Sequence, residues 1–248
     1  MNGIAFTLGP LEIHWYGILV AAAALIGYLL TRRNIQKYGL DPDKADMLLF
    51  KLIAAIIIGA RLAYVISKYQ YYFANPWEII RLDHGGLGSH GAIITALICG
   101  YYWTKKAGLP YWRLADAAAP GLPVGHIFVR LGNFINGELY GPPTTLPWGV
   151  KFPETAGPVH PSQLYEIVTS IIILPFALKW SAKPRYPGYS FLRVLLLHSG
   201  VRFLMDFVRQ PGGPPNSLVL TQVIALIFTV FILGYLWYLE KVKYRNAG

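Results

Sequence analysis

Charge is what this chain has little of: Asp, Glu, Lys and Arg make up only 14% of its 248 residues, where a soluble domain carries about a quarter. Cysteine is scarcer still. Cys99 is the only one, which excludes a disulfide framework and a cysteine-based metal cluster, and in its apolar stretch it reads as a small packing residue. Lys and Arg are missing from the first 31 residues, so the first apolar run lacks the positive leader of a cleavable signal peptide and is expected to stay as a helix. No polar segment longer than about thirty residues separates the apolar runs, which argues for a single domain over residues 1–248. An internal repeat is also absent, and that weighs against a transporter built from inverted halves.

Apolar residues are abundant, at 54%. A helix needs about 20 mainly apolar residues to cross the hydrocarbon core, and seven stretches qualify: residues 14–31, 47–67, 87–104, 114–131, 161–180, 189–209 and 218–239. The expected fold is therefore an all-α polytopic membrane protein. Lys and Arg in short loops mark the cytoplasmic side. One set of alternate loops holds thirteen of them, from Arg32 to Arg245, and the other holds only Lys68, Arg81 and Lys151. With an odd number of spans, this bias puts the N-terminus outside and the C-terminus in the cytoplasm. The net charge of +10 then reflects topology, since the basic residues form no stripe of the kind that binds nucleic acid. Two outer segments follow from the same count. Residues 69–86 are aromatic enough to lie along the interface, and residues 132–160, rich in Gly, Pro and Asn, suit an irregular outer loop.

Arginine at the centre of an isolated membrane helix costs about 2.5 to 3.5 kcal/mol, so Arg61, Arg130 and Arg202 require a partner or a wet cavity. Lys51 and Arg193 lie near cytoplasmic ends and can snorkel. The sixth span carries His198, Arg202 and Asp206 four residues apart, with Arg209 three further on, which stacks them near one helix face. Asp206 neutralises one arginine and leaves one positive charge for an anion, although a salt bridge pinning two helices fits that ladder as well. Other polar positions also have plain readings: an aromatic belt for His14, Trp15 and Tyr16, helix packing for His90, helix capping for His160, Pro161 and Ser162, and a tight exit for the glycines and asparagines after Arg130. On the seven-span topology all of them fall toward the outer leaflet. That coincidence favours a site.

The run from Arg130 to Gly141 reads RLGNFINGELYG, and it resembles almost letter for letter the signature of the bacterial prolipoprotein diacylglyceryl transferases. Supporting matches are HWYG from His14, GARLAYV around Arg61, the glycine-flanked His90, Asp116 with Ala119 and Pro120, HPSQLYE from His160 to Glu166, and Arg202 followed by an acid four residues on. The chain departs from the family at Val129, where glycine is usual, at Gly88 and Ala92 around His90, at His198 in place of tyrosine, at Asp206 in place of glutamate, and at Val159.

The resemblance implies a fold and an activity. The sulfur of a lipobox cysteine in a prolipoprotein signal peptide attacks the glycerol carbon of phosphatidylglycerol, and glycerol phosphate leaves. The setting implied is the bacterial cytoplasmic (inner) membrane, with membrane lipids as surroundings and without cofactor, metal or nucleic acid. A thiolate must form and a departing phosphate must be held. Arg130 and Arg202 suit the phosphate because a guanidinium gives bidentate, charge-assisted hydrogen bonds. His90 suits the base, since imidazole titrates near neutral pH. His14 and Tyr16 are alternatives that could share the base role and are counted among the substrate-binding residues, with Arg61 and Arg209 as secondary candidates for the phosphate. Asn133, Asn136 and Glu138 would orient the headgroup or hold the arginines, His160 is counted among the substrate-binding residues, and Asp206 would restrain Arg202. The rival class is a membrane protein that binds or transports lipid or anions without catalysis.

Overall fold

A computed structural model describes residues 3–9, 11–81, 86–209 and 217–244; Arg245 and residues 82–85 of the predicted interfacial segment lie outside them. The chain starts with an antiparallel hairpin, β1 (Ile4–Leu8) and β2 (Leu11–His14). The all-α expectation omitted it because strands this short give almost no alternation to detect. The Trp15 N–H donates to the Gly3 carbonyl at 2.9 Å and folds the hairpin back over the start of the first helix.

The rest is helical: α1 (Trp15–Ile35), α2 (Pro42–Ser67), α3 (Tyr69–Ala74), α4 (Ser89–Lys106), α5 (Tyr111–Ala118), α6 (Gly121–Asn136), α7 (Ser162–Ala182), α8 (Tyr189–Met205) and α9 (Ser217–Tyr238). Local chemistry sets several boundaries. Asp41 accepts from the N–H groups of Asp43 and Lys44, with Pro42 in the first helical position, a strong start signal for α2. Among the described residues, four helical stretches are long and apolar enough to cross a membrane: Trp15–Tyr38, Pro42–Ser67, Ser162–Ala182 and Leu220–Lys243. Helices α4, α6 and α8 overlap three other predicted spans without reaching that combination of length and hydropathy.

Three predicted boundaries move. Residues 114–131 are not one helix, because Pro120 has no N–H to donate to the Asp116 carbonyl. That carbonyl accepts instead from Ala119 N and from Ser181 Oγ, both at 3.3 Å, and the chain breaks between α5 and α6. Helix α6 then continues to Asn136, so the first residues of the predicted outer loop are helical and the irregular part begins at Gly137. Helix α8 ends at Met205 with Asp206 as its C-cap, which leaves Arg209 beyond the helix.

Helix α1 packs on α6, α2 on α4, α6 on α7, α7 on α8, and α8 on α9. The buried apolar clusters gather where α1 finishes and α8 begins: Ile35, Tyr38, Leu48 and Leu114 in one, Tyr186, Tyr189, Leu192 and Leu236 in another. At that end Asp116 is fully buried and caps α8. Its carboxylate accepts from Gly188 N at 2.7 Å, Ser190 N at 2.8 Å and Phe191 N at 2.9 Å, using the unpaired donors of a helix N-terminus. Outward helix faces expose Ile58, Ile98, Ile227 and Phe231, which suits a lipid surrounding. In the predicted interfacial segment, Phe73, Trp77 and Ile80 are also exposed.

Candidate functional site

The other end of the same helices is polar. Near its C-terminus α6 carries Arg130, whose Nε donates to Glu166 Oε2 on α7 at 2.7 Å and whose Nη1 donates to Asn133 Oδ1 at 3.2 Å. Glu166 is almost completely buried. Its second oxygen, Oε1, lies 3.5 Å from Arg209 Nη1, an atom that is buried and has no hydrogen-bond partner among the described residues. On α8, Arg202 Nη2 is 2.9 Å from Asp206 Oδ1, one turn on as the spacing predicted. Three guanidinium groups thus face two carboxylates, and the ion-paired cluster keeps one positive charge.

His126, one turn before Arg130, joins the same carboxylate. Its Nε2 is 3.1 Å from Glu166 Oε2, and its Nδ1 is 2.8 Å from Ser170 Oγ. The His198 ring packs edge-on against it, with centroids 5.3 Å apart, so α6, α7 and α8 meet through histidine, glutamate and arginine side chains. His126, Glu166 and Ser170 received no role from the sequence. The signal was present, because a histidine and an acid inside apolar helices are as exceptional as the arginines.

The local backbone explains why the signature sequence looks as it does. A Cβ at Gly132 would stand 2.6 Å from Tyr16 Cδ2, so only glycine lets the Tyr16 ring lie this close to α6, two residues beyond Arg130. Gly137 stops the helix in the left-handed conformation, φ 76°, and Glu138 N donates back to the Asn133 carbonyl at 2.9 Å, a helix end that glycine favours. Beyond it, Asn136 Nδ2 donates to Glu138 Oε1 at 2.9 Å. The start of α7 is sewn to this turn: Ser162 Oγ donates to the Leu139 carbonyl at 2.7 Å and Gln163 Nε2 to the Glu138 carbonyl at 2.5 Å. Phe152, also buried, stacks on Tyr140 with centroids 5.5 Å apart and anchors the outer loop.

The remaining sequence-predicted residues are spread more widely. His160 Nδ1 shares a 3.1 Å hydrogen bond with the Tyr165 hydroxyl, which also accepts from Trp148 Nε1 at 2.9 Å. His14 lies at the base of the hairpin, 3.9 Å from Glu12 through Nε2. Gly3 sits between it and Asn136: a Cβ there would be 2.8 Å from Asn136 Oδ1 and 3.9 Å from His14 Nδ1. Arg61 is engaged elsewhere. Its guanidinium donates to the carbonyls of Glu78, Ile79, Arg81 and Gly86 and stacks over Tyr72, which ties α2 to the interfacial segment. His90 is exposed in the first turn of α4, and among the described residues no hydrogen bond, ion pair or ring contact joins it to the Arg130 cluster. Cys99 is a free, half-buried thiol. Among the described residues no group of three His, Cys, Asp or Glu side chains is arranged to hold a metal ion.

Comparison with known proteins gives the family of the chain. The family model described as "Prolipoprotein diacylglyceryl transferase" matches residues 3–238. A relative from Bordetella parapertussis is 39% identical over 221 residues, covering 86% of this chain and 84% of its own. One from Thermus thermophilus is 35% identical over 224 residues, 80% of each chain. One from Nitratidesulfovibrio vulgaris is 36% identical over 248 residues, 97% of this chain and 94% of its own. All three are named as phosphatidylglycerol--prolipoprotein diacylglyceryl transferases. With its signature helix, its arginine cluster and a match along nearly its whole length, this chain belongs to the prolipoprotein diacylglyceryl transferase family.

Proposed function

We propose that the chain transfers the diacylglyceryl group of phosphatidylglycerol to the lipobox cysteine of a prolipoprotein signal peptide, at the outer side of a bacterial cytoplasmic membrane crossed seven times. In the reaction the cysteine sulfur forms a bond to the glycerol carbon. The carbon–oxygen bond to phosphate breaks, its electron pair leaves with glycerol phosphate, and the thiol proton passes to a base. The nucleophile comes from the substrate, so the enzyme's own half-buried Cys99 has no part in it.

The observation that carries this reading is the shared carboxylate of Glu166, which holds Arg130 from α6 and Arg209 from beyond α8 around one centre with surplus positive charge. A departing phosphate gains charge as the bond breaks, and preorganised guanidinium donors stabilise that charge without reorganising. Arg130 and Arg202 hold the phosphate, with Arg209 beside them. Asn133, Asn136 and Glu138 orient the glycerol headgroup, His14, Tyr16 and His160 border it, and His90 takes the thiol proton. Arg61 acts by holding the interfacial segment against α2.

The test is purified protein in phosphatidylglycerol micelles with a lipobox peptide, read by mass spectrometry of the peptide and by glycerol phosphate release. Wild type adds a diacylglyceryl mass, and glycerol phosphate appears only when peptide is present, as no transporter or lipid-binding protein would give. Arg130→Lys keeps the charge but loses the fork, and its rate falls about a hundredfold or more with normal expression. A fully active lysine variant would remove the phosphate role from Arg130.

A further inference from the structure

Where α1 ends, α5 begins and α7 turns into α8, at the end of the bundle away from the Arg130 cluster, the surface opens into a cleft of about 400 Å³. Lys37, Arg113 and Arg185 line it, each exposed: Lys37 follows α1, Arg113 is in the first turn of α5, and Arg185 lies between α7 and α8. Among the described residues none of the three forms an ion pair: Arg113 Nη1 reaches only the Tyr38 carbonyl, at 3.4 Å, and Arg185 leans toward the Tyr189 ring, 5.9 Å from its centroid. The one carboxylate in the lining is Asp116. It is buried and its oxygens are directed at the three N–H groups that start α8, so it forms no ion pair with the three cations.

We propose that this cleft binds the phosphodiester headgroup of an anionic lipid from the cytoplasmic leaflet. Three convergent cations without carboxylate partners call for an anion, and two of them are arginines, which fork onto phosphate oxygens. The same end of the chain favours a lipid over a soluble phosphate. Met47 and Phe50, in the second and third turns of α2, the helix that follows Lys37 in the chain, are exposed, and so is Trp112, the neighbour of Arg113 in sequence and an aromatic of the kind that membrane interfaces favour. Basic pockets between helices on the cytoplasmic side suit such headgroups. A general positive bias is also expected on that side. What distinguishes the cleft is that its charges converge, whereas Lys105 and Lys106 stand exposed at the end of α4 outside it. The site is independent of the transfer reaction and can fail without affecting that reading.

The experiment is native mass spectrometry of the full chain in neutral detergent with cardiolipin as probe, counting retained lipid. Wild type retains cardiolipin in preference to phosphatidylcholine. Each charge removed from a basic lipid site weakens retention roughly fivefold, so the Arg113→Gln/Arg185→Gln double variant loses more than about tenfold. The Lys105→Gln/Lys106→Gln double variant stays within about twofold of wild type. Arg113→Lys/Arg185→Lys keeps most of the binding, which separates loss of charge from loss of fold. Equal losses in the two glutamine pairs would overturn the site in favour of a diffuse positive surface. Displacement of cardiolipin by excess inorganic phosphate would overturn the lipid assignment, and so would failure of wild type to prefer cardiolipin.

Discussion

Arg130 and Arg209 lie against opposite oxygens of one carboxylate, Arg130 Nε 2.7 Å from Oε2 of Glu166 and Arg209 Nη1 3.5 Å from its Oε1. The acid sits on α7, between a helix that carries one arginine and a segment beyond α8 that carries the other. Its charge therefore has two tasks: it holds three parts of the chain together, and it keeps two guanidinium groups close to one another, as the proposed phosphate role requires.

Glu166→Gln tests both tasks. The amide keeps the shape and removes the charge, leaving three arginines facing Asp206 alone. Breaking a buried pair by removing one partner costs roughly 3 to 5 kcal/mol, so the variant should unfold at a clearly lower temperature in detergent and transfer lipid more than tenfold more slowly. A variant that melts with wild type would show that the pair does not hold the helices.

His126 touches Glu166 at 3.1 Å and also accepts from Arg130 Nε at 3.3 Å, which makes it a positioning residue for Arg130 in the proposed reaction. Its two ring nitrogens reach Ser170 and Glu166 at once, which fixes the carboxylate that in turn fixes Arg130. Loss of such a supporting partner commonly costs about tenfold to a hundredfold. The loss in His126→Ala should fall in kcat, with KM nearly unchanged, because a displaced Arg130 fails the leaving phosphate and not the bound lipid. His126→Gln can still bond to a neighbour on α7 and should recover part of the rate. Steady-state kinetics that put alanine and wild type at the same kcat would end this assignment.

The sequence made the helical class, the arginines and the signature run visible because charge inside an apolar stretch stands out against its neighbours. It hid what depends on contacts between distant segments. Glu166 lies 36 residues from Arg130 along the chain, and no local pattern declares that they meet. Arg61 looked like Arg130 as a buried arginine in an apolar helix, yet its donors go to backbone carbonyls of the interfacial segment. The break at Pro120 was readable in principle from the missing N–H. The continuation of α6 to Asn136 was not, since two glycines and two asparagines favour irregular backbone until the packing of Tyr16 on Gly132 and the turn at Gly137 decide otherwise.

Asp116 gives a prediction of the opposite kind, in which stability changes and chemistry does not. Its three hydrogen bonds with backbone N–H groups are charge-assisted and buried, and Asp116→Ala would leave those donors without a carboxylate. The expected loss is at least about 3 kcal/mol, read as an earlier thermal transition. Asp116→Asn keeps one good acceptor and should fall between alanine and wild type. Because α6 and α8 carry the arginines at their far ends, the molecules that remain folded should turn over at the wild-type rate. A fall in kcat per folded molecule would mean that the start of α8 is coupled to Arg202.

His90 is separated from the arginine cluster by its position on α4, yet the packing brings it to the same end of the bundle. Helix α1 begins at the site with Tyr16. Helix α2 runs back, and Gly88 at the start of α4 donates to Ala60 in the second half of α2 at 2.8 Å, so α4 also starts at that end. The exposed imidazole, with no hydrogen-bond partner among the described residues, is available to a thiol delivered from outside the chain. A free cysteine thiol ionises at about pH 8.5. If His90 removes its proton, His90→Ala should be most impaired at neutral pH, and its deficit should shrink as the pH rises through that value and the peptide supplies its own thiolate. Rate profiles of the two proteins with the same lipobox peptide would show this. A deficit that stays constant with pH would make His90 a residue that positions the peptide, and a variant with no deficit at neutral pH would remove it from the reaction.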